Sequence, residues 1–371
     1  MPESGEGSPD QLARLRAELD AVDSRLIEAA AERQRLVSKI GRVKQGSGRQ
    51  VRDFVREREV LDGVRSRAEA LGLDGDVAAD LLARLIRASL TRQEHERARL
   101  VDHGGGRRAL IIGGAGLMGG WMASFLDNQG FDVLLADPAL VGDGERFFED
   151  WRSAPSAVDV VVLATPIALS ASILGELARR GSPALVFDIA SIKTPLIEPL
   201  EAAARSGLRV CSLHPMFGPE TRLLSGRHVL VMSVGNDEAD AQAEALFSET
   251  MAEVMWIGLA EHDRLVALIL GLSHAVNIAF ASALADSGLA AEELAGLSST
   301  SFDRQLGVAR DVVGENPALY FEIQQLNEHG VVARRALAEA VERLDRCVCD
   351  DDPEAFAELM RQGRDWMAAL A

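Results

Sequence analysis

Two sets of residues have the types and spacing to do chemistry. The first centres on a histidine in Cys211-Ser212-Leu213-His214-Pro215-Met216-Phe217-Gly218-Pro219-Glu220. His214 leaves an apolar run, Leu208 to Leu213, and enters a loop rich in proline and glycine. Open α/β sheets bind ligands at the carboxyl ends of their strands, so this imidazole is placed where a ligand would lie. Upstream, Gly114-Ala115-Gly116-Leu117-Met118-Gly119 follows one apolar run and opens another. The first glycine permits the turn, the second lets a pyrophosphate approach the backbone, and the third packs helix on strand. Asp137 ends the next strand. A carboxylate there accepts from an adenosine ribose 2′-hydroxyl and repels a 2′-phosphate, so NAD is expected over NADP. Thr165-Pro166 ends a further strand, a turn placed to lie against a nicotinamide. A histidine beside a nicotinamide points to hydride transfer from a carbon bearing a hydroxyl, with the imidazole as general base.

The second set lies in the first hundred residues. Leu12, Leu19, Leu26, Arg33 and Ile40 repeat every seven residues, beside Leu15, Val22, Ala29, Leu36 and Val43. Two such columns make a coiled-coil-like seam. Arg33 stands in a column otherwise built of Leu and Ile, and a guanidinium placed there needs a partner or an anionic ligand. On a later helix Ser89 and Gln93 continue the stripe begun by Leu82, Leu85 and Ile86, and Glu57 extends the face of Leu61 and Val64. Arg16 and Lys44 flank the seam. Cations, a hydroxyl, an amide and a carboxylate thus share one helical interior. Periodicity alone favours the plainer reading, a coiled-coil dimer with a polar specificity layer.

These residues need particular elements to hold them. Residues 1–9 read as a disordered tail. Residues 10–101 read as three helices, from about 10 to 45, Arg52 to Leu71 and Val77 to Leu100, too elongated to close on themselves, so an intertwined homodimer is expected. Residues 102–106 are a glycine linker. Residues 107–262 alternate strand and helix: Ala109–Ile112, Met118–Gln129, Val133–Ala136, Val158–Ala164, Leu185–Asp188, Val210–Leu213 and Val229–Ser233, a Rossmann-type dinucleotide-binding domain. Residues 263–371 read as all-helical and as a second dimer surface. Within them Leu265 to Ala285 carries no formal charge, but Ser273, His274 and Asn277 favour a helix buried in a dimer core over a membrane span.

Composition narrows the function classes. The net charge is −18, all of it beyond residue 103 because the first 103 residues are balanced, which argues against nucleic acid. Lysine is scarce, at Lys39, Lys44 and Lys193 only, so each is of interest; Lys193 also reads as an ordinary surface residue at a helix start. Three cysteines form no disulfide framework and no metal signature, and no apolar leader opens the chain; no metal and a cytoplasmic location are expected. Of the other histidines, His95, His103, His228 and His329 read as surface residues, and His262, in Glu261-His262-Asp263, as a helix cap.

Two family resemblances sharpen this reading. Arg16, Arg33, Lys44, the run Val51-Arg52-Asp53-Phe54-Val55-Arg56-Glu57-Arg58-Glu59 and Ser89-Leu90-Thr91-Arg92-Gln93 make the N-terminal region resemble the all-helical chorismate mutases. The resemblance implies that Arg33 and Arg16, one from a partner subunit, hold substrate carboxylates with Arg56 and Ser89 assisting. It implies that Lys44 and Gln93 donate to the ether oxygen, and that Glu57 and the Asp53 backbone hold the ring hydroxyl. The glycine fingerprint, Asp188-Ile189-Ala190-Ser191-Ile192-Lys193 and His214-Pro215-Met216-Phe217-Gly218-Pro219 resemble prephenate dehydrogenases. That resemblance implies His214 as catalytic base, Ser191 as its orienter, Arg304 on a prephenate carboxylate and His274 in the substrate pocket; Arg310 competes with Arg304. Pro219 and Gly271 depart from residues common in relatives, and Glu220 matches an acidic position in some. The implied protein is a bifunctional chorismate mutase and NAD-dependent prephenate dehydrogenase of tyrosine biosynthesis. The alternative is a prephenate or arogenate dehydrogenase whose helical N-domain only dimerises or regulates.

Overall fold

The computed structural model describes residues 9–45, 54–101, 103–140, 145–248, 250–297 and 299–369; side chains of residues 9, 10, 41–45, 54–58, 92–101 and 295 lie outside the description. Three helices open the chain: α1 (Pro9–Gln45), α2 (Phe54–Ala70) and α3 (Gly75–Val101). The 37 residues of α1 span about 55 Å. Both α1 and α2 pack on α3, yet most of the seam finds no cover within one chain: Leu12, Leu15, Leu19 and Leu26 are all at least half exposed. The heptad pattern therefore forms the expected helix and leaves an apolar face that one chain does not bury.

An eight-stranded sheet follows, in the order β3-β2-β1-β4-β5-β6-β7-β8. Its strands are β1 (Arg108–Ile112), β2 (Asp132–Ala136), β3 (Phe147–Phe148), β4 (Val160–Leu163), β5 (Leu185–Asp188), β6 (Arg209–Pro215), β7 (His228–Met232) and β8 (Glu253–Trp256). Strands β1 to β6 are parallel, β7 runs antiparallel to β6, and β8 is parallel to β7. The connecting helices α4 (Leu117–Asp127), α5 (Ile167–Arg180), α6 (Ile197–Arg205) and α7 (Asp237–Ala245) cover both faces. Alternate residues feed two cores: Leu110, Ile112, Val161 and Leu163 on one face, and Ala109, Ile111, Val160 and Val162 on the other. Burial on both sides explains the unbroken apolar runs. The short strands β3 and β8 carried no alternation long enough to be read from the sequence.

The C-terminal part is helical. It begins with α8 (Leu259–Val266), a π-helical turn (Ala267–Leu272) and α9 (Ser273–Ala285), one continuous rod. Then come α10 (Ala291–Gly296), α11 (Thr300–Val313), α12 (Pro317–Leu326), α13 (Gly330–Cys349) and α14 (Pro353–Ala368). The rod is long and apolar enough to cross a membrane, with mean hydropathy 1.9, but only 22% of its apolar window is buried. Burial on all sides, expected from the sequence, is thus not achieved within one chain: Leu268 and Ile269 are 54% exposed.

The glycine segment between the helical and sheet regions is docked. Gly104 N–H donates to the Gln129 carbonyl at 2.7 Å and Gly106 N–H to the Gly130 carbonyl at 3.1 Å. A Cβ on Gly104 would overlap the Gly130 carbonyl and the Phe131 nitrogen, backbone atoms that cannot swing aside. Gly104→Ala is expected to cost about 1–3 kcal/mol, read as a lowered urea midpoint; an unchanged midpoint would show that the segment is free to lift away.

Candidate active sites

The dinucleotide loop is built by close approach. Gly113, one residue before the fingerprint, has φ 93°, a left-handed conformation that favours glycine. A Cβ on Gly119 would overlap the Gly113 carbonyl, which is the helix-on-strand packing expected of the third glycine. Gly114 lies against the Leu135 side chain. Helix α4 starts at Leu117 with Gly116 as its N-cap and no side-chain cap, so the N–H groups around Leu117, Met118 and Gly119 remain for an anion. The Asp137 carboxylate accepts from Ala115 N–H at 3.3 Å and Ala139 N–H at 2.9 Å, which fixes it beside the glycine loop. Thr165 Oγ1 lies 2.8 Å from Ser170 Oγ, and Pro166 caps α5. Close backbone approach, an uncapped helix start and a strand-end carboxylate fit a dinucleotide.

His214 is still within β6, paired with Leu230 across the antiparallel β7, and only 3% exposed. The sequence reading placed it just beyond the strand; the β7 partner extends the ladder through Pro215. Its Nδ1 lies 2.8 Å from His262 Nε2, and His262 Nδ1 lies 2.6 Å from Asp263 Oδ1. Asp263 also accepts from Lys193 N–H at 2.8 Å, Thr194 N–H at 2.7 Å and Thr194 Oγ1 at 2.6 Å. Lys193 is wholly buried; its ammonium pairs with Asp188 and donates to the Leu213 carbonyl at 2.8 Å, while Ser212 Oγ donates to the other Asp188 oxygen at 2.6 Å. Two readings are thereby corrected. Lys193 is no surface residue, because Asp188 and the strand-end carbonyl draw it inward. His262 is not spent on capping its helix, because its ring reaches His214.

Ser191, expected to orient His214, makes no hydrogen bond to it among the described residues; the His214 Nδ1 contact is to His262. Burial first, then His262 and Lys193, hold the His214 ring well below the ordinary imidazole value of 6.5. Burial likewise lowers His262, against the opposing pull of Asp263.

Other residues converge on this edge. His274 stacks on Tyr320, ring centroids 4.3 Å apart, and its buried Nδ1 has no partner among the described residues. Burial raises the Tyr320 hydroxyl, with Glu315 and Glu220 adding to the effect, so Glu220 and Tyr320 share one neighbourhood. Tyr320 went unnoticed in the sequence, although it is the chain's sole tyrosine. Trp121 Nε1 donates to the Thr221 carbonyl at 2.8 Å and its ring meets Phe217 edge-on, tying α4 to the loop after His214. Arg304 and Arg310 are both exposed on α11; Gln305, between them, donates to Asn277 on α9 at 2.9 Å.

In the N-terminal helices Arg33 Nη1 donates to Ser89 Oγ at 3.0 Å and to the Leu85 carbonyl at 3.3 Å. Ser89 Oγ donates to Gln34 Oε1 at 2.8 Å. Among the described residues no carboxylate pairs with Arg33, and burial lowers its pKa. Arg16 is exposed on the same helix, about 25 Å from Arg33 by helical rise, so the two do not meet within one chain. Asp53 and the side chains of Lys44, Arg56, Glu57 and Gln93 lie outside the described residues.

The neutral buried histidines have a consequence for stability. Below about pH 6.5 the unfolded chain binds protons at His214 and His262 that the folded chain refuses. More protons on the unfolded state means that stability rises with pH, so it is full above that value and falls as pH drops. The slope is up to about 1.4 kcal/mol per pH unit for each ring. Urea midpoints at about pH 7.5 and about pH 5.5 check this; a midpoint that holds or rises on acidification would contradict it.

Comparison with known proteins finds relatives for both halves of the chain. Three family models match: chorismate mutase type II over residues 15–94, the prephenate dehydrogenase nucleotide-binding domain over 145–254, and the prephenate dehydrogenase dimerization domain over 259–362. The chain is 29% identical over 369 residues to the T-protein of Enterobacter agglomerans, covering 96% of this chain and 93% of that one. It is 30% identical over 270 residues to 4-amino-4-deoxyprephenate dehydrogenase of Streptomyces pristinaespiralis, covering 69% of this chain and 90% of that one. The structure of prephenate dehydrogenase from A. aeolicus in complex with hydroxyphenyl propionate and NAD+ superposes with TM-score 0.58 at 19% identity, covering 71% of this chain and 98% of that one, a likeness of fold. The chain belongs to the prephenate dehydrogenase family and carries a type II chorismate mutase domain ahead of the dehydrogenase.

Proposed function

We propose that this enzyme of tyrosine biosynthesis converts chorismate to prephenate in its N-terminal helices and oxidises prephenate to 4-hydroxyphenylpyruvate at the carboxyl edge of its sheet. The observation that carries the reading is His214: a buried, neutral imidazole at the end of a parallel strand, tied through Trp121 and Phe217 to the helix of the glycine loop.

The first reaction is an intramolecular rearrangement with no nucleophile and no proton transfer. The protein selects the folded conformer and stabilises charge on the breaking C–O bond. Arg33, supported by Ser89, holds one substrate carboxylate, and Arg16 of a second copy reaches the other. Arg56 assists; Glu57 and the Asp53 backbone hold the ring hydroxyl; Lys44 and Gln93 donate to the ether oxygen. A homodimer covers the leucine seam of α1 and the exposed face of the α8–α9 rod, and the chain works in the cytoplasm.

In the second reaction NAD, when bound, supplies the hydride acceptor. The glycine loop and the start of α4 hold the pyrophosphate, Asp137 the ribose, and Thr165 and Pro166 the nicotinamide side. His214 takes the proton of the 4-hydroxyl as hydride leaves C4; the ring carboxylate departs as carbon dioxide and the ring becomes aromatic. Arg304 pairs with a prephenate carboxylate, with Arg310 as second candidate, and His274 lines the pocket. Ser191, in the turn after β5, orients His214.

Purified enzyme given chorismate without NAD should accumulate prephenate, and adding NAD should then release NADH and carbon dioxide. Failure to form prephenate would remove the first activity; failure to form NADH from prephenate would remove the second. Lys44→Ala should lose about 100- to 1,000-fold of mutase turnover, as for one preorganised donor, and oxidise prephenate normally; near-full mutase turnover would contradict the role of Lys44. His214→Asn should bind NAD unchanged and lose about 100-fold or more in dehydrogenase kcat; a mild effect would place the base elsewhere.

A further inference from the structure

The contact between the two buried histidines decides which nitrogen of His214 is basic. A carboxylate only accepts hydrogen bonds, so the 2.6 Å contact between His262 Nδ1 and Asp263 Oδ1 requires the proton on His262 Nδ1. In the neutral ring His262 Nε2 is then the acceptor. The 2.8 Å contact from His214 Nδ1 to that nitrogen requires the proton on His214 Nδ1. The lone pair of His214 is left on Nε2, the nitrogen that can take a proton.

Charge around the pair points the same way. Asp188 and Asp263 are two buried carboxylates, and Lys193 is one buried ammonium. The set is one positive charge short of neutral until the histidines gain a proton. An imidazolium formed at His214 is therefore met by charge already in place, through His262 to Asp263. Asp263 itself is held by Lys193 N–H, Thr194 N–H and Thr194 Oγ1, while Asn327 Nδ2 donates to its backbone carbonyl at 2.8 Å. The turn after β5 holds the carboxylate toward His262, and the α12–α13 junction fixes its backbone.

We infer that His262, backed by Asp263, is a positioning residue that locks His214 in the Nδ1–H tautomer and so presents Nε2 as the base for prephenate oxidation. The inference rests on the reading of His214 as that base.

The test is steady-state oxidation of prephenate by the full-length enzyme and its His262→Ala and His262→Asn variants, with NAD affinity measured separately. An asparagine side-chain oxygen can accept from His214 Nδ1–H; alanine cannot. His262→Ala should lose about 100-fold in kcat, while the prephenate KM and the NAD dissociation constant stay within about threefold. His262→Asn should recover at least about tenfold of that loss. The inference is overturned if His262→Ala stays within about threefold of the parent, if asparagine is no better than alanine, or if both variants lose NAD affinity, which would make His262 a packing residue. A parent enzyme that forms no NADH from prephenate overturns the underlying reading instead, and the inference with it.

Discussion

Two carboxylates and an ammonium are buried together beneath the carboxyl edge of the sheet, and the dehydrogenase half is arranged around that fact. Taking Asp188, Lys193 and Asp263 out of water is expensive, and a buried ion pair seldom returns more than it costs against apolar residues of the same size. Here nearly every lone pair is answered. Asp188 receives Lys193 and Ser212, and Asp263 receives two backbone N–H groups, a threonine hydroxyl and a histidine. These bonds join β5, the turn after it, β6 and α8. They fix where the sheet meets the C-terminal helices, and through His262 they set the orientation of the His214 ring. Loss of any member would leave a buried charge unanswered, which is why this arrangement is a constraint on the sequence as well as a device.

The same economy governs the rest of the dehydrogenase. The glycine loop and the His214 loop come from distant parts of the chain, and one indole links them: Trp121 stacks on Phe125, meets Phe217 and donates to Thr221. Position of the His214 loop relative to the glycine loop is thereby carried by packed side chains. The helical N-terminus works differently. Its polar pair, Arg33 and Ser89, is assembled within one chain, while Arg16 stands about 25 Å along the helix and the leucine seam stays open to solvent. In the proposed homodimer a second copy covers the seam and brings its Arg16 to the site, so folding, assembly and substrate binding would share one surface.

Local pattern made much of this legible. Leu185–Asp188 was delimited to the residue, and α1 to within one residue at its start, because strand and heptad periodicities are local and long. The glycine fingerprint could be read because three glycines each answer a close approach, although Gly113, just outside it, carries the left-handed turn. Lys193 stayed open between a functional and a surface role, and His262 was read as a cap, for one reason. Each sits at the start of a helix among polar neighbours, where sequence alone suggests solvent or a cap. Their partners lie far away in sequence: Leu213 for Lys193, and His214 for His262. Tyr320 escaped for the same cause, since only the fold brings α12 beside α9 and the Glu220 loop. Scarcity was the usable signal in two cases, a lysine in an arginine-biased chain and the sole tyrosine.

The account stands on the protonation state of one ring. Long-range 15N–1H correlation of histidine-labelled protein at about pH 7 reads the tautomer of each of the seven imidazoles. His214 and His262, assigned by substitution, should both be neutral with the proton on Nδ1. A His214 ring that is charged, or that carries its proton on Nε2, would contradict the account.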